Sequence, residues 1–323
     1  MPGDKADVIM FGPKPIIEEA LTKAGVNLHK AWAAPDADAF VARIAPSIRA
    51  IAAAGGHGRI DGALMSRFPK LEIVSSFGVG YDHIDAKWAG EHGIIVTNTP
   101  DVLNEEVADT ALGLLLCTVR HLPRAEKYLR DGHWPKKGDY PLTPSMRDRT
   151  AGIVGMGRIG KAIGRRLEAM QVPVVYHSRR PADVAYKHYP NLVELARDVD
   201  VLIVITPGGA ATKNLVNADV LKALGRNGIL INVARGSVVD EAALIQALQD
   251  GTILTAGLDV FANEPNVPAE LIAMENVVLL PHVGSASTAT RRAMDTLVAN
   301  NIISWLGGKG PLTPVAETPV KKS

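Results

Sequence analysis

A Gly-x-Gly-x-x-Gly motif lies near the middle of this chain, not at its start. Gly155, Gly157 and Gly160 fall within Ala151-Gly152-Ile153-Val154-Gly155-Met156-Gly157-Arg158-Ile159-Gly160. A short apolar strand precedes the motif, and the spacing of Ile163, Leu167 and Met170 predicts a helix after it. That is the strand-turn-helix setting of a dinucleotide-binding turn. The first glycine permits the tight turn, and the second lets the backbone approach a pyrophosphate. The third lets the helix pack close to the strand, while the helix N-terminus offers N–H groups and a partial positive charge. Position is the main constraint. A Rossmann domain starting here leaves a full domain's length of chain before it, which must supply something other than the cofactor site.

A chain of 323 residues fits about two domains. With 47% hydrophobic and 21% charged residues it can build a large core and does not read as disordered. A net charge of +1 gives no electrostatic reason to expect nucleic acid or an anionic membrane as partner. Cys117, the only cysteine, lies in the apolar run 112–119, so no disulfide framework exists. No run reaches the ~18 apolar residues of a membrane span, and the first residues lack a charged-then-apolar signal pattern. A cytoplasmic protein without a metal is expected.

Apolar strands are expected at 8–11, 27–32, 50–53, 73–77 and 94–97, with helical patterns around 16–23, 40–44 and 62–67. This alternation predicts a small parallel α/β domain. A long helix is expected from about 104 to 121. The segment 131–144 is too polar and Pro-rich for core, yet it carries Trp134 and Tyr140. From 150 onward six apolar strands recur, at 151–154, 173–176, 201–205, 229–232, 254–258 and 277–280. Continuous apolar character predicts a parallel sheet buried on both faces. The helical run 287–306 and the tail after it cannot bury a core alone, so they are expected to pack back on the N-terminal domain. The fold expected is α/β, with two Rossmann-like, doubly wound parallel-sheet domains and a cleft between them. Residues 1–99 with 287–323 would form a flavodoxin-like, substrate-binding domain, and 100–286 the dinucleotide-binding domain.

An NAD site usually carries Asp or Glu about 20 residues past the glycine motif, accepting from the ribose 2′-OH. Here the next strand ends in His177-Ser178-Arg179-Arg180, with no carboxylate. Guanidinium groups hold a phosphate through several N–H donors and stay charged, whereas an acid would repel it. A solvated arginine pair is the ordinary alternative. Taken with the missing acid, the segment favours NADP(H).

Three later segments each place a chemically capable residue just past a predicted strand, where open α/β sheets carry their ligands. They are Asn232-Val233-Ala234-Arg235-Gly236, 258–265 with Asp259 and Glu264, and Leu280-Pro281-His282-Val283-Gly284-Ser285. Taken singly, Arg235 reads as a surface cation, Glu264 as a loop carboxylate and His282 as a satisfied histidine. Together, in this order on one sheet, they resemble the D-2-hydroxyacid dehydrogenase family. The resemblance covers nearly the whole chain. It includes Phe77-Gly78-Val79-Gly80-Tyr81-Asp82, Asn98-Thr99-Pro100, the crossover 105–110, the glycine turn, and Thr206-Pro207 with Thr212. The segment 177–180 is most similar to that of NADPH-preferring glyoxylate/hydroxypyruvate reductases and related hydroxyphenylpyruvate reductases.

The resemblance implies that Arg235 holds a 2-oxo acid by its carboxylate and polarises the ketone. His282 is then the general acid, and Glu264 the carboxylate that favours its charged form. The N–H groups of Val79 and Gly80 would bind the substrate carboxylate, and Asp259 would lie near the nicotinamide. Val107, Met156, Arg158, Ile159, Thr206, Pro207, Thr212, Val233, Ala234 and Gly284 join the glycines and 177–180 as expected cofactor contacts. In related reductases a tryptophan placed like Trp134 reaches the neighbouring subunit's cleft; otherwise it anchors a dimer interface. Both readings imply a homodimer.

Length argues against a phosphoglycerate dehydrogenase with an added regulatory domain, and Glu264 against a formate dehydrogenase, which carries glutamine there. A hydroxyphenylpyruvate reductase stays open, because the loop 52–58 is small enough to leave room for an aryl group. The family also includes corepressors that use the dinucleotide as a ligand. The retained catalytic residues and the short tail weigh against that class.

Overall fold

The computed structural model describes residues 5–54 and 58–320, and the chain divides into two compact units, Met1–Leu103 with Ser287–Ser323, and Asn104–Ala286. Residues 55–57 of the small loop 52–58 lie outside the described residues.

The first unit holds β1 (Asp7–Met10), β2 (Asn27–Lys30), β3 (Ile48–Ala53), β4 (Ile73–Ser76) and β5 (Ile95–Thr97). They form one parallel sheet in the order β2-β1-β3-β4-β5. Its central strands are almost wholly buried, which is why β4, and β3 after Arg49, read as runs of apolar or small residues. The helix Thr288–Leu306 belongs to this unit. Ser75 Oγ donates to the Val298 carbonyl at 3.1 Å, and the buried Asn301 ties that helix to the tail. Its carboxamide oxygen accepts from the N–H groups of Leu312 and Thr313, at 2.9 and 3.0 Å. Thr318 Oγ1 accepts from Val96 N, so the tail also covers β5. The sequence pattern missed the helix Ala86–Glu91, which Asp85 caps by accepting from Trp88 N at 3.1 Å.

The second unit holds β6 (Ala151–Val154), β7 (Val174–His177), β8 (Lys187–Tyr189), β9 (Val201–Val204), β10 (Ile229–Asn232), β11 (Thr255–Leu258) and β12 (Val277–Leu279). All pairings are parallel, in the order β12-β11-β10-β9-β6-β7-β8. Both sheets are thus of the doubly wound class expected, but this one has seven strands instead of six. The addition, β8, is a three-residue edge strand whose polar sequence Lys-His-Tyr carries no apolar signal. Strand order reverses between β6 and β9, and ligands of such sheets bind at the carboxyl ends flanking this point. The helices Asn104–Arg120 and Arg158–Ala169 pack together in this unit. Arg166 joins them, reaching Asp109 at 2.7 Å and Glu105 at 2.8 Å. Glu105 and Asp109 of the 105–110 motif are therefore occupied in helix pairing.

Candidate active site

The glycine turn sits at the reversal point. Gly155 has φ +106°, and a side chain there would lie 2.9 Å from Ile205 O and Thr206 N, at the end of β9. A Cβ on Gly160 would collide with the Gly155 carbonyl, so the helix Arg158–Ala169 can approach the turn only without one. At Gly157 the space is open and the residue is exposed at the helix N-terminus. Crowding at two glycines and room at the third is the arrangement that admits a pyrophosphate against backbone N–H groups. Met156 is buried, while Arg158 and Ile159 begin the helix. Opposite, the loop after β9 is closed by Thr212 Oγ1 donating to the Pro207 carbonyl at 2.7 Å.

The end of β7 turns outward through Ser178, whose Oγ donates to the Arg180 carbonyl at 2.6 Å. His177 Nδ1 lies 2.9 Å from the Tyr189 carbonyl of β8. Arg179 and Arg180 are exposed, and among the described residues neither forms an ion pair.

After β10, Asn232 folds the turn that carries Arg235. Its Oδ1 accepts from Ala234 N at 3.1 Å, and its Nδ2 donates to the Arg235 carbonyl at 3.2 Å. Val233 and Ala234 are buried, and Arg235 Nη1 donates to the Ala234 carbonyl at 2.7 Å. Gly236 lies so close to the Phe261–Ala262 backbone that any Cβ would overlap it. The Arg235 turn is thereby seated against the loop that carries Glu264.

That loop holds Glu264 from both sides. Glu264 Oε1 accepts from Phe261 N at 3.0 Å, and Oε2 faces His282 Nδ1 at 2.7 Å. Burial pushes the Glu264 carboxyl up. The His282 and Phe261 hydrogen bonds and the charges of His282 and Arg235 outweigh it, holding the group below the usual carboxylate range. Since a carboxylate only accepts, Nδ1 is the donor in this pair, and Nε2 is left to deliver a proton. The His282 side chain is 45% exposed.

His282 adopts φ +54°, a left-handed conformation costly for a residue with a side chain. Asp259 sustains it. This residue is 2% exposed, and its two carboxylate oxygens accept from Val283 N and Gly284 N at 2.7 and 2.8 Å, while its carbonyl accepts from His282 N at 2.9 Å. Burial pushes the Asp259 carboxyl above its ordinary value, and the two N–H groups offset part of that rise. Val107 packs beside Gly284, and Thr110 Oγ1 donates to the Gly284 carbonyl at 3.2 Å.

Glu264→Gln keeps an acceptor for Nδ1 but removes the charge. A carboxylate beside the ring offsets the positive charge of proton donation, which a carboxamide does not. Turnover of the variant is therefore expected to fall by roughly tenfold or more. A variant with the parent's kcat would remove Glu264 from the proton step.

In the first unit, the loop after β4 is tied to the segment after β5. Gly78 N donates to Thr99 Oγ1 at 3.0 Å, Thr99 N to the Gly78 carbonyl at 2.9 Å, and Asn98 Nδ2 to the Val79 carbonyl at 2.8 Å. Among the described residues, no acceptor takes the N–H groups of Val79 and Gly80. Sequence reasoning missed two cations beneath this loop. Lys14 Nζ lies 3.6 Å from the Phe77 ring centre, and the Arg291 guanidinium lies 5.2 Å from it. Burial lowers the Lys14 ammonium and raises the Asp295 carboxyl, although the two face each other at 3.7 Å.

Trp134 opens the short helix Trp134–Lys137 within the polar, Pro-rich segment 131–144. It is 57% exposed, its Nε1 donating to Asp139 at 3.2 Å. Tyr128 braces the segment, edge-on to both His133 and Tyr140, with its hydroxyl donating to the Gly138 carbonyl at 2.9 Å.

A doubly wound sheet with this glycine turn, an arginine and a carboxylate-backed histidine at its strand ends defines a dinucleotide-dependent oxidoreductase. The chain belongs to the D-isomer specific 2-hydroxyacid dehydrogenase family, whose NAD binding domain matches residues 112–284. A glyoxylate/hydroxypyruvate reductase A of Arabidopsis thaliana is 46% identical over 309 residues, covering 95% of this chain and 98% of that protein. The hydroxyphenylpyruvate reductase of Plectranthus scutellarioides is 44% identical over 310 residues, with the same coverage. The crystal structure of an NADPH-dependent glyoxylate/hydroxypyruvate reductase of Sinorhizobium meliloti, in complex with NADP and malonate, matches with a TM-score of 0.93. Its sequence is 51% identical, and 99% of each chain is covered. Among the described residues, no helix is long and apolar enough to cross a membrane.

Proposed function

We propose that this protein is an NADPH-dependent reductase of small 2-oxo acids, converting glyoxylate to glycolate and hydroxypyruvate to D-glycerate. The observation that carries the reading is the 2.7 Å pairing of His282 Nδ1 with Glu264, which leaves Nε2 to protonate a carbonyl oxygen. When bound, the dihydronicotinamide supplies the hydride for C2. Arg235 binds the substrate carboxylate and steadies the ketone oxygen as it gains negative charge. His282 Nε2–H donates to that oxygen, and Glu264 stabilises the imidazolium before transfer. Asp259 holds the 283–284 backbone and with it the imidazole. For the first unit, the reading is an anion loop in which the N–H groups of Val79 and Gly80 receive a carboxylate.

Within the second unit, the glycine turn and helix N-terminus hold the pyrophosphate, with Val107, Thr206, Pro207, Thr212, Val233, Ala234 and Gly284 lining the cofactor. Arg179 and Arg180 read the 2′-phosphate. Their exposure, their lack of ion pairs among the described residues and the absence of an acid at the end of β7 support this. Arg179→Ala should weaken NADPH binding by about 1.5–3 kcal/mol, the usual contribution of a charge-assisted hydrogen bond, and leave NADH nearly unchanged. Equal losses for the two cofactors, measured by fluorescence titration, would show that Arg179 does not read the phosphate.

Reduction of an aryl 2-oxo acid is the second reading, favoured by the 44% identity to a hydroxyphenylpyruvate reductase. Steady-state comparison of glyoxylate, hydroxypyruvate and phenylpyruvate decides between the two. We further infer a cytoplasmic homodimer. Exposed Leu122, Leu129, Trp134 and Leu142, all in or beside the Trp134 segment, offer the apolar surface that a second copy would cover.

A further inference from the structure

The edge strand β8 does more than complete the sheet. Its central residue, His188, is the register partner of Tyr176 on β7, with the two rings 5.1 Å apart. His188 Nε2 lies 2.9 Å from the Ser178 carbonyl. A carbonyl oxygen only accepts, so Nε2 carries the hydrogen and donates. This bond grips the backbone at the residue from which Arg179 and Arg180 project.

The same tip is tied at two other points. Ser178 Oγ donates to the Arg180 carbonyl at 2.6 Å, and the Tyr176 hydroxyl accepts from Ala182 N at 2.9 Å where the chain leaves the tip. The strand supplying the grip is itself anchored. Tyr189 is buried, its hydroxyl donates to Asp198 Oδ2 at 2.8 Å, and Lys187 Nζ donates to that hydroxyl at 2.7 Å. His177 Nδ1 donates to the Tyr189 carbonyl, so the two histidines clasp β7 and β8 in opposite directions.

We infer that His188 is a specificity-determining positioning residue, holding the 178–180 tip in the shape that presents Arg179 and Arg180 to a 2′-phosphate. The inference rests on the NADPH reading above and extends it to a residue that, among the described residues, hydrogen-bonds to neither arginine side chain. Long exposed guanidinium groups lose rotamer freedom when they bind, and a fixed backbone keeps that cost from growing. The glycine turn, whose residues are not among the hydrogen-bond or ring partners of His188, holds the part that NADPH and NADH share. Loss of the His188 bond should therefore weaken the phosphorylated cofactor selectively.

The test compares the parent with His188→Phe, which retains an aromatic ring against Tyr176 without a donor, and His188→Gln, whose amide N–H restores one. Dissociation constants are measured by fluorescence for NADPH and NADH, and by calorimetry for adenosine 2′,5′-bisphosphate and AMP. The parent should prefer NADPH. In His188→Phe, NADPH and the bisphosphate should bind about tenfold more weakly, the effect of one lost hydrogen bond. NADH and AMP should stay within about twofold, and His188→Gln should recover most of the loss. A parent that prefers NADPH, with His188→Phe keeping the full preference, overturns this inference alone. Equal weakening of all four ligands also overturns it, making β8 a general support of the domain. A parent without a preference for NADPH overturns the cofactor reading and this inference with it.

Discussion

His282→Ala should bind NADPH as the parent does and lose at least two orders of magnitude in turnover. General-acid assistance contributes roughly 10²–10⁴ in rate, or about 3–5 kcal/mol of transition-state stabilisation. His282 is the group whose Nε2 is left open once Nδ1 is engaged by Glu264. Cofactor affinity should hold because the glycine turn lies at the end of β6, four strands from β12 in the sheet order. Rapid-mixing measurement of hydride transfer, beside a binding titration, separates the two effects. A variant with parental turnover would move the proton donor elsewhere.

Arg235→Lys should raise KM for glyoxylate and lower kcat together, with kcat/KM falling on the order of 10²–10³. A guanidinium offers a planar fork that can bond a carboxylate and reach the ketone oxygen from one position. An ammonium is a compact point charge on a flexible stem. The turn that aims Arg235 is built for this residue's backbone, through the two Asn232 hydrogen bonds and the close seat of Gly236 on Phe261. Lysine would keep that turn and lose the fork. Unchanged KM and kcat would identify Arg235 as a surface cation and send the search for the substrate anchor elsewhere.

Much of the second unit was legible because its inner strands are unbroken apolar runs, and each ends where a polar or glycine-rich segment begins. That punctuation located Gly155, Arg235, Glu264 and His282 at strand ends before any geometry was available. The edge strand β8 escaped because an edge need not be apolar, and Lys187-His188-Tyr189 carries its information in hydrogen bonds instead of burial. The helix Ala86–Glu91 escaped for a related reason: six residues give too few turns for a periodic signal, and its Asp85 cap is visible only once the helix is known. Pairwise relations in the site were also beyond the pattern. The family resemblance implies that Asp259 lies near the nicotinamide, but not that its two oxygens fasten the Val283 and Gly284 N–H groups below a left-handed His282. Lys14 and Arg291 are nearly the whole chain apart, and only the fold sets them on the same phenyl ring.

The most direct measurement of the central claim is the absorbance of NADPH mixed with glyoxylate and catalytic amounts of the protein, run in parallel with NADH and with His282→Ala. The proposed function predicts rapid loss of NADPH absorbance with stoichiometric glycolate, slower turnover with NADH at equal concentration, and almost none with the variant. A flat NADPH trace with glyoxylate, hydroxypyruvate and phenylpyruvate alike, under conditions where the protein binds NADPH, would contradict it.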